Sequence, residues 1–243
     1  MEYLVILAVA LAAGTLSGIV GTGSSMMLMP FLVIFFGPKH AVPIMAIASI
    51  LGNLGRVIAW WRLVDWRAVL AYSATAIPGA ALGVNSLLAL PARAVDVALG
   101  LFFLSMIPVR RWLGRHQLRI TRVHLALLGG PIGFLTGIVV STGPLSVPIF
   151  VSYGLDKGAF LSTEAASSLA IYLAKVATFE ALGALPLDIV AKGLLCGSAI
   201  MGGAFIARRF VMHMSAATFK RVLDGLMLVS GLSMLWAAVR FAG

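Results

Sequence analysis

Ten apolar stretches, divided by charged residues and by glycine or proline breaks, run almost the whole length of this chain. They cover roughly 3–20, 24–36, 41–61, 68–90, 94–109, 123–140, 143–154, 159–183, 187–207 and 217–239. A helix that crosses a bilayer needs about 20 residues, and most of these stretches approach that length. Hydrophobic residues make up 61% of the chain and charged ones 11%, against about half and a quarter in soluble domains. The sequence therefore describes an all-α polytopic membrane protein, organised as a single transmembrane domain over 1–243.

The second and seventh stretches are too short to cross comfortably. Each follows a break rich in small residues, "GTGSS" at 21–25 and "STGP" at 141–144. Non-helical backbone at membrane depth is tolerated only when buried in protein or lining a polar cavity. Each short stretch, with the one before it, is thus either a re-entrant hairpin or a broken helix.

Several function classes drop out. Cys196 is the single cysteine, so no intramolecular disulfide forms and no cysteine cluster holds a metal. His40, His116, His124 and His213 show no ligand spacing, and no nucleophile motif is visible. No cofactor is expected, and the chain does not read as an enzyme. The start "LAVALAAGTLSG" has small residues at cleavage-like spacing but lacks a basic n-region, so residues 1–20 are expected to belong to the mature structure.

An internal repeat appears when the chain is shifted by 119 residues. "GTLSGIV" (14–20) then lies on "GFLTGIV" (133–139), with five of seven positions identical. The same shift maps Ser49, Asn53, Arg56 and Trp60 onto Ser168, Tyr172, Lys175 and Phe179, each set spaced to share one helix face. The repeats are expected over 1–112 and 123–243. Each is expected to hold a re-entrant or broken glycine-rich helix pair plus three membrane-spanning helices, and an odd number of crossings per half makes them inverted, a recurrent transporter design.

The net charge of +10 does not indicate nucleic acid, because the basic residues are spread over the connections. One side carries Arg62, Arg67, Arg110, Arg111, Arg115, Arg119, Arg122, Lys157, Arg208, Arg209, Lys220 and Arg221; the other has Lys39, Arg93, Lys192 and Arg240. The positive-inside rule puts the first set in the cytoplasm and both termini outside. Trp60, Trp61 and Trp66 fit an interfacial belt, with Trp60 also on the Arg56 face.

Arg56 and Lys175 fall inside apolar runs, where a cation costs about 2.5–3.5 kcal/mol on insertion scales. Snorkelling suits Arg56 better than Lys175. For a salt bridge, Glu164 and Glu180 lie eleven and five residues from Lys175, neither at good helical pairing distance, and a bridge between helices stays open. The favoured reading is anion binding: both cations face a shared midplane pocket between the halves. Helix starts after the glycine breaks offer backbone N–H groups. Thr22, Gly23, Ser24, Ser25, Ser141, Thr142 and Gly143 line those breaks, with Ser49, Asn53, Ser168 and Tyr172 on the cation faces. Glu164 and Glu180 are the carboxylates to suspect in proton coupling, although Glu164 also fits a first-turn helix acid. Asp96 is expected to pair locally with Arg93.

The motifs "GIVGTGSSMMLMPFLVIFFG" with "AVPIMAIAS", and "GFLTGIVVSTGPLSVPIFVSYGL" with "STEAASS", resemble the sulfite exporter TauE/SafE family over nearly the whole chain. The resemblance implies a carrier in the cell inner membrane that exports sulfite, an organosulfonate such as sulfoacetate, or a related small anion. The family's glycine triplet is here "GSS" at 23–25, and "STGP" holds a single glycine, which leaves the anion preference open. The partners expected are a small anionic substrate and membrane lipid, with a homodimer open. A passive anion channel and a non-transporting membrane subunit are the alternatives.

Overall fold

The structure is a computed structural model that describes residues 2–20, 24–115, 119–139, 142–155 and 157–210, together with Gly225, Leu228, Val229, Gly231, Leu232, Leu235, Trp236 and Val239. The tenth apolar stretch thus lies largely outside the described residues. Among them the chain is helical and no strand occurs. The helices are α1 (Glu2–Val20), α2 (Ser24–Phe36), α3 (Pro38–Trp60), α4 (Trp66–Ala89), α5 (Ala92–Arg115), α6 (Arg122–Ile138), α7 (Gly143–Ser152), α8 (Lys157–Ala181) and α9 (Leu187–Phe210), with one 3₁₀ turn at Trp61–Leu63. Among the described residues, four spans are long and apolar enough to cross a membrane: Lys39–Leu63, Trp66–Ala89, Ala92–Val109 and Leu187–Ile206.

Local chemistry explains where the helices begin and end. Asp65 caps α4, its carboxylate accepting from the amides of Arg67 and Ala68 at 3.0 and 3.1 Å. Thr121 caps α6 in a reciprocal box with His124. Gly183, at φ 65°, closes α8 as its amide bonds the Glu180 carbonyl and the Ala184 amide bonds Phe179. These two bonds form a Schellman cap, which needs a left-handed residue.

Helix pairing follows the small residues. The α4 helix runs along α6 and α1 runs along α9, while α3 packs on α9 and α8 packs on α4; α3 and α8 also meet. At Gly133 a Cβ would stand 2.2 Å from the Ala76 carbonyl oxygen, and at Gly14 one would stand 2.1 Å from that of Ile200. Only glycine permits such approach, and without a hydrophobic drive between helices in lipid it is close backbone packing that holds them.

The Trp belt is exposed, with Trp60, Trp61 and Trp66 at 37%, 60% and 56%. Asp96 departs from expectation. It is buried on α5 while Arg93 is exposed, and its Oδ1 has no hydrogen-bond partner among the described residues.

Candidate functional site

The two intramembrane cations are both buried, and neither reaches lipid. Arg56, near the end of α3, crosses to α8 and meets Glu164, with Nη1 donating to Oε2 at 3.0 Å. Its Nη2 donates to Asn53 Oδ1, one turn back, and the Asn53 amide nitrogen donates to the Ser49 carbonyl at 2.8 Å. The other Glu164 oxygen, Oε1, accepts from the hydroxyls of Ser168 at 2.8 Å and Ser146 at 3.1 Å. Glu164 is therefore the centre of a buried network from α3, α7 and α8. It is not a first-turn acid: α8 begins at Lys157, and Glu164 is 2% exposed.

Lys175 lies further along the same helix. Eleven residues at about 1.5 Å each place it about 16 Å from Glu164 along α8. Its ammonium is fully buried and donates to the carbonyls of Thr136 at 2.6 Å and Val139 at 3.0 Å. Those carbonyls end α6, where the helix stops before α7. The last carbonyls of a helix lack intrahelical partners and form its negative pole, so the ammonium satisfies both the bonds and the dipole.

A small cavity lies between these two charged positions. Its walls are Tyr72 on α4, Thr136 on α6, Thr142, Gly143 and Ser146 at the start of α7, and Ser168, Ile171 and Tyr172 on α8. The interior open to a water centre is about 10 Å³, room for about one water. Thr136 donates its hydroxyl to the Ile132 carbonyl at 2.7 Å, so the 2.6 Å contact between the Thr136 and Thr142 hydroxyls is donated by Thr142. Tyr72 packs edge-on against Phe150, with ring centroids 5.1 Å apart.

Beyond the Tyr72–Phe150 pair, a second polar cluster ties the helix ends. The Tyr153 hydroxyl donates to Asp65 Oδ2 at 3.4 Å and accepts from Arg122 Nε at 3.2 Å. The Asp65 amide donates to the Thr163 hydroxyl at 2.9 Å. The first turn of α4 is thus joined to the end of α7, the start of α6 and the body of α8.

Of the residues singled out from sequence, Thr142, Gly143, Ser168 and Tyr172 line the cavity, Arg56 and Asn53 join the Glu164 network, and Lys175 borders the far wall through Thr136. Ser49 is buried, and its hydroxyl lacks a partner among the described residues. Ser24 and Ser25 open α2, outside the cavity wall. Thr22, Gly23 and Ser141 lie outside the described residues. Glu180 is exposed near the end of α8, away from the network.

Two expectations change. The cations do not meet in one pocket; they bracket the cavity from opposite ends, one held by a carboxylate and the other by carbonyls. Nor does α7 supply an array of backbone donors, because Pro144 has no N–H and the amides of Leu145 and Ser146 return to the Thr142 carbonyl. The donors here are side-chain hydroxyls. Thr136 and Ser146, missed in sequence, carried weak signals: Thr136 falls on Ser17 under the 119-residue shift, and Ser146 is one turn from Gly143. Nothing in the sequence pointed to Tyr72.

Buried charges, a polar cavity and close-packed glycine helices define a multi-pass membrane protein of the transporter class. The chain belongs to the sulfite exporter TauE/SafE family, whose model matches residues 6–234. That family is one of membrane transporters of sulfur anions, not of enzymes. Searches of curated proteins and of solved structures each gave no match.

Proposed function

We propose that this protein exports a small sulfur oxyanion, sulfite or an organosulfonate, across the cell inner membrane, with both termini outside. The observation that carries the reading is the hydroxyl-lined cavity between the Arg56–Glu164 pair and Lys175. A buried ionisable residue in a membrane marks a pathway for polar cargo by default, and three of them flank one cavity. The substrate binds there as the hydroxyls of Thr142, Ser146 and Ser168 turn from Thr136 and Glu164 to donate to it, with the aromatic hydroxyls of Tyr72 and Tyr172 beside them. In the present state the cavity has room for about one water, so binding requires α7 to move away from α4 and α8.

The halves 1–112 and 123–243 are inverted repeats. What supports this is the pairing pattern: exchanging the halves turns α4 on α6 into α9 on α1, and α3 on α9 into α8 on α4. Gly14 and Gly133, related by the same shift, both press against backbone of the other half. Alternating access then follows from rocking one repeat against the other. An anion leaving an inside-negative cell moves downhill by about 2.3 kcal/mol per charge per 100 mV, so export needs no coupling ion.

The test is counterflow. Purified protein in liposomes loaded with unlabelled sulfite is expected to accumulate external labelled sulfite, saturably and with trans-stimulation. Flux without trans-stimulation marks a channel, and no flux above empty liposomes rejects the transport of this substrate.

A further inference from the structure

Three charged side chains stand behind the cavity wall, Glu164 holding the hydroxyls of Ser146 and Ser168, Arg56 pairing with Glu164, and Lys175 bonding the Thr136 carbonyl; their sum fixes what a guest has to neutralise. Arg56 and Glu164 cancel at 3.0 Å. Among the described residues Lys175 has no carboxylate partner; its hydrogen bonds go to the neutral carbonyls of Thr136 and Val139. The described residues around it therefore hold one net positive charge. Asp96, a further buried acid, stands apart on α5, its Oδ1 without a hydrogen-bond partner among the described residues.

The carboxylate also occupies the donors a guest uses. Ser146 and Ser168 both line the cavity and both donate to Glu164 Oε1. An oxyanion that enters competes for these hydroxyl protons with a fixed negative charge one hydrogen bond away. A single negative charge balances the site. A second one leaves an uncompensated charge in a low-dielectric interior, beside a carboxylate, at a cost that neutral hydroxyls do not offset.

We infer that Glu164 sets the valence of the substrate, so that the site takes a monoanion such as a simple sulfonate and rejects a dianion of the same size. This rests on the anion-carrier reading above and adds a specificity-determining role for one residue. Glu164 selects by subtracting one charge from two cations.

The probes are methanesulfonate and sulfate, two tetrahedral anions that differ in one charge and in a methyl group exchanged for oxygen. Binding is measured by titration calorimetry on the full chain in a nonionic detergent, and the readout is the ratio of the two affinities. Wild type is expected to prefer methanesulfonate. Glu164→Gln, which leaves two net positive charges, is expected to move the ratio toward sulfate by about tenfold or more. Because that variant strands Arg56 and can fail to fold, Arg56→Gln/Glu164→Gln is measured beside it. The double variant returns the sum to one positive charge and is expected to prefer methanesulfonate again, whatever affinity it keeps. A preference for sulfate in wild type or in the double variant overturns the inference, as does a ratio unmoved by Glu164→Gln; the carrier reading then stands. Failure of wild type to bind either anion overturns the inference, while the carrier reading is decided separately by sulfite counterflow.

Discussion

Arg56 and Glu164 meet at 3.0 Å although 108 residues separate them in the chain, and each comes from a different half. Both are buried, so the pair is desolvated and each charge depends on the other. Removing one partner of such a pair costs about 3–5 kcal/mol, chiefly because the other is left uncompensated. Arg56→Ala alone is therefore expected to destabilise the protein strongly, and Glu164→Ala likewise. The double variant is expected to lose less than the sum of the two. Thermal unfolding followed by size-exclusion chromatography, run as a double-mutant cycle, checks this; additive losses reject coupling between the pair.

Lys175 invites a different experiment, because its partners are carbonyls. Lys175→Met keeps much of the side-chain volume but leaves the Thr136 and Val139 carbonyls buried without donors. Each is worth about 1–3 kcal/mol when orphaned, so a clear loss of thermal stability is expected. The same change removes the one uncancelled positive charge near the cavity among the described residues, and methanesulfonate affinity is expected to fall at least about tenfold. A stable variant with unchanged affinity shows that Lys175 neither caps α6 nor attracts the anion.

How much of this was legible beforehand depends on the range of the signal. The apolar stretches and their breaks gave the helices closely, and α2 begins and ends where its stretch does. Those signals are local, set by hydropathy and by glycine and proline. Arg56 and Lys175 were conspicuous for the same reason, being charges among apolar neighbours. Their partners were not, because no local spacing links α3 to position 164 or α8 to the end of α6. Glu164 resembled a helix-start acid until α8 proved to begin seven residues earlier, at Lys157. Tyr72 illustrates the same limit, since only the packing of α4 on α6 and α8 brings it to the cavity.

Glycine packing gives a prediction with an internal control. A Cβ at Gly133 would stand 2.2 Å from the Ala76 carbonyl oxygen, whereas one at Gly130 finds its nearest atom, Thr75 Cβ, at 3.7 Å. Gly133→Ala forces α6 from α4, and overpacking of this kind costs about 1–3 kcal/mol or more. Gly130→Ala makes ordinary contact and gains helix propensity, so little or no loss is expected. Yield and melting temperature of the two variants decide the matter. Equal behaviour rules out close α4–α6 packing as the source of stability there.

The cluster around Tyr153 bears on how the cavity opens. Its hydroxyl ties Asp65, at the cap of α4, to Arg122, at the start of α6, and it sits at the end of α7, the helix whose other end forms the cavity wall. In the proposed orientation this cluster lies on the cytoplasmic side, with the Tyr72–Phe150 contact between it and the cavity. Tyr153→Phe keeps the ring and deletes both hydrogen bonds, each worth about 0.5–1.5 kcal/mol net. The balance is expected to shift several-fold toward a state open to the cytoplasm. Ser146→Cys, in a Cys196→Ala background, reports this through its rate of modification by a membrane-impermeant thiol reagent in inside-out vesicles. A faster rate when Tyr153→Phe is added marks the cluster as a cytoplasmic latch; an unchanged rate means that it only anchors the helix ends.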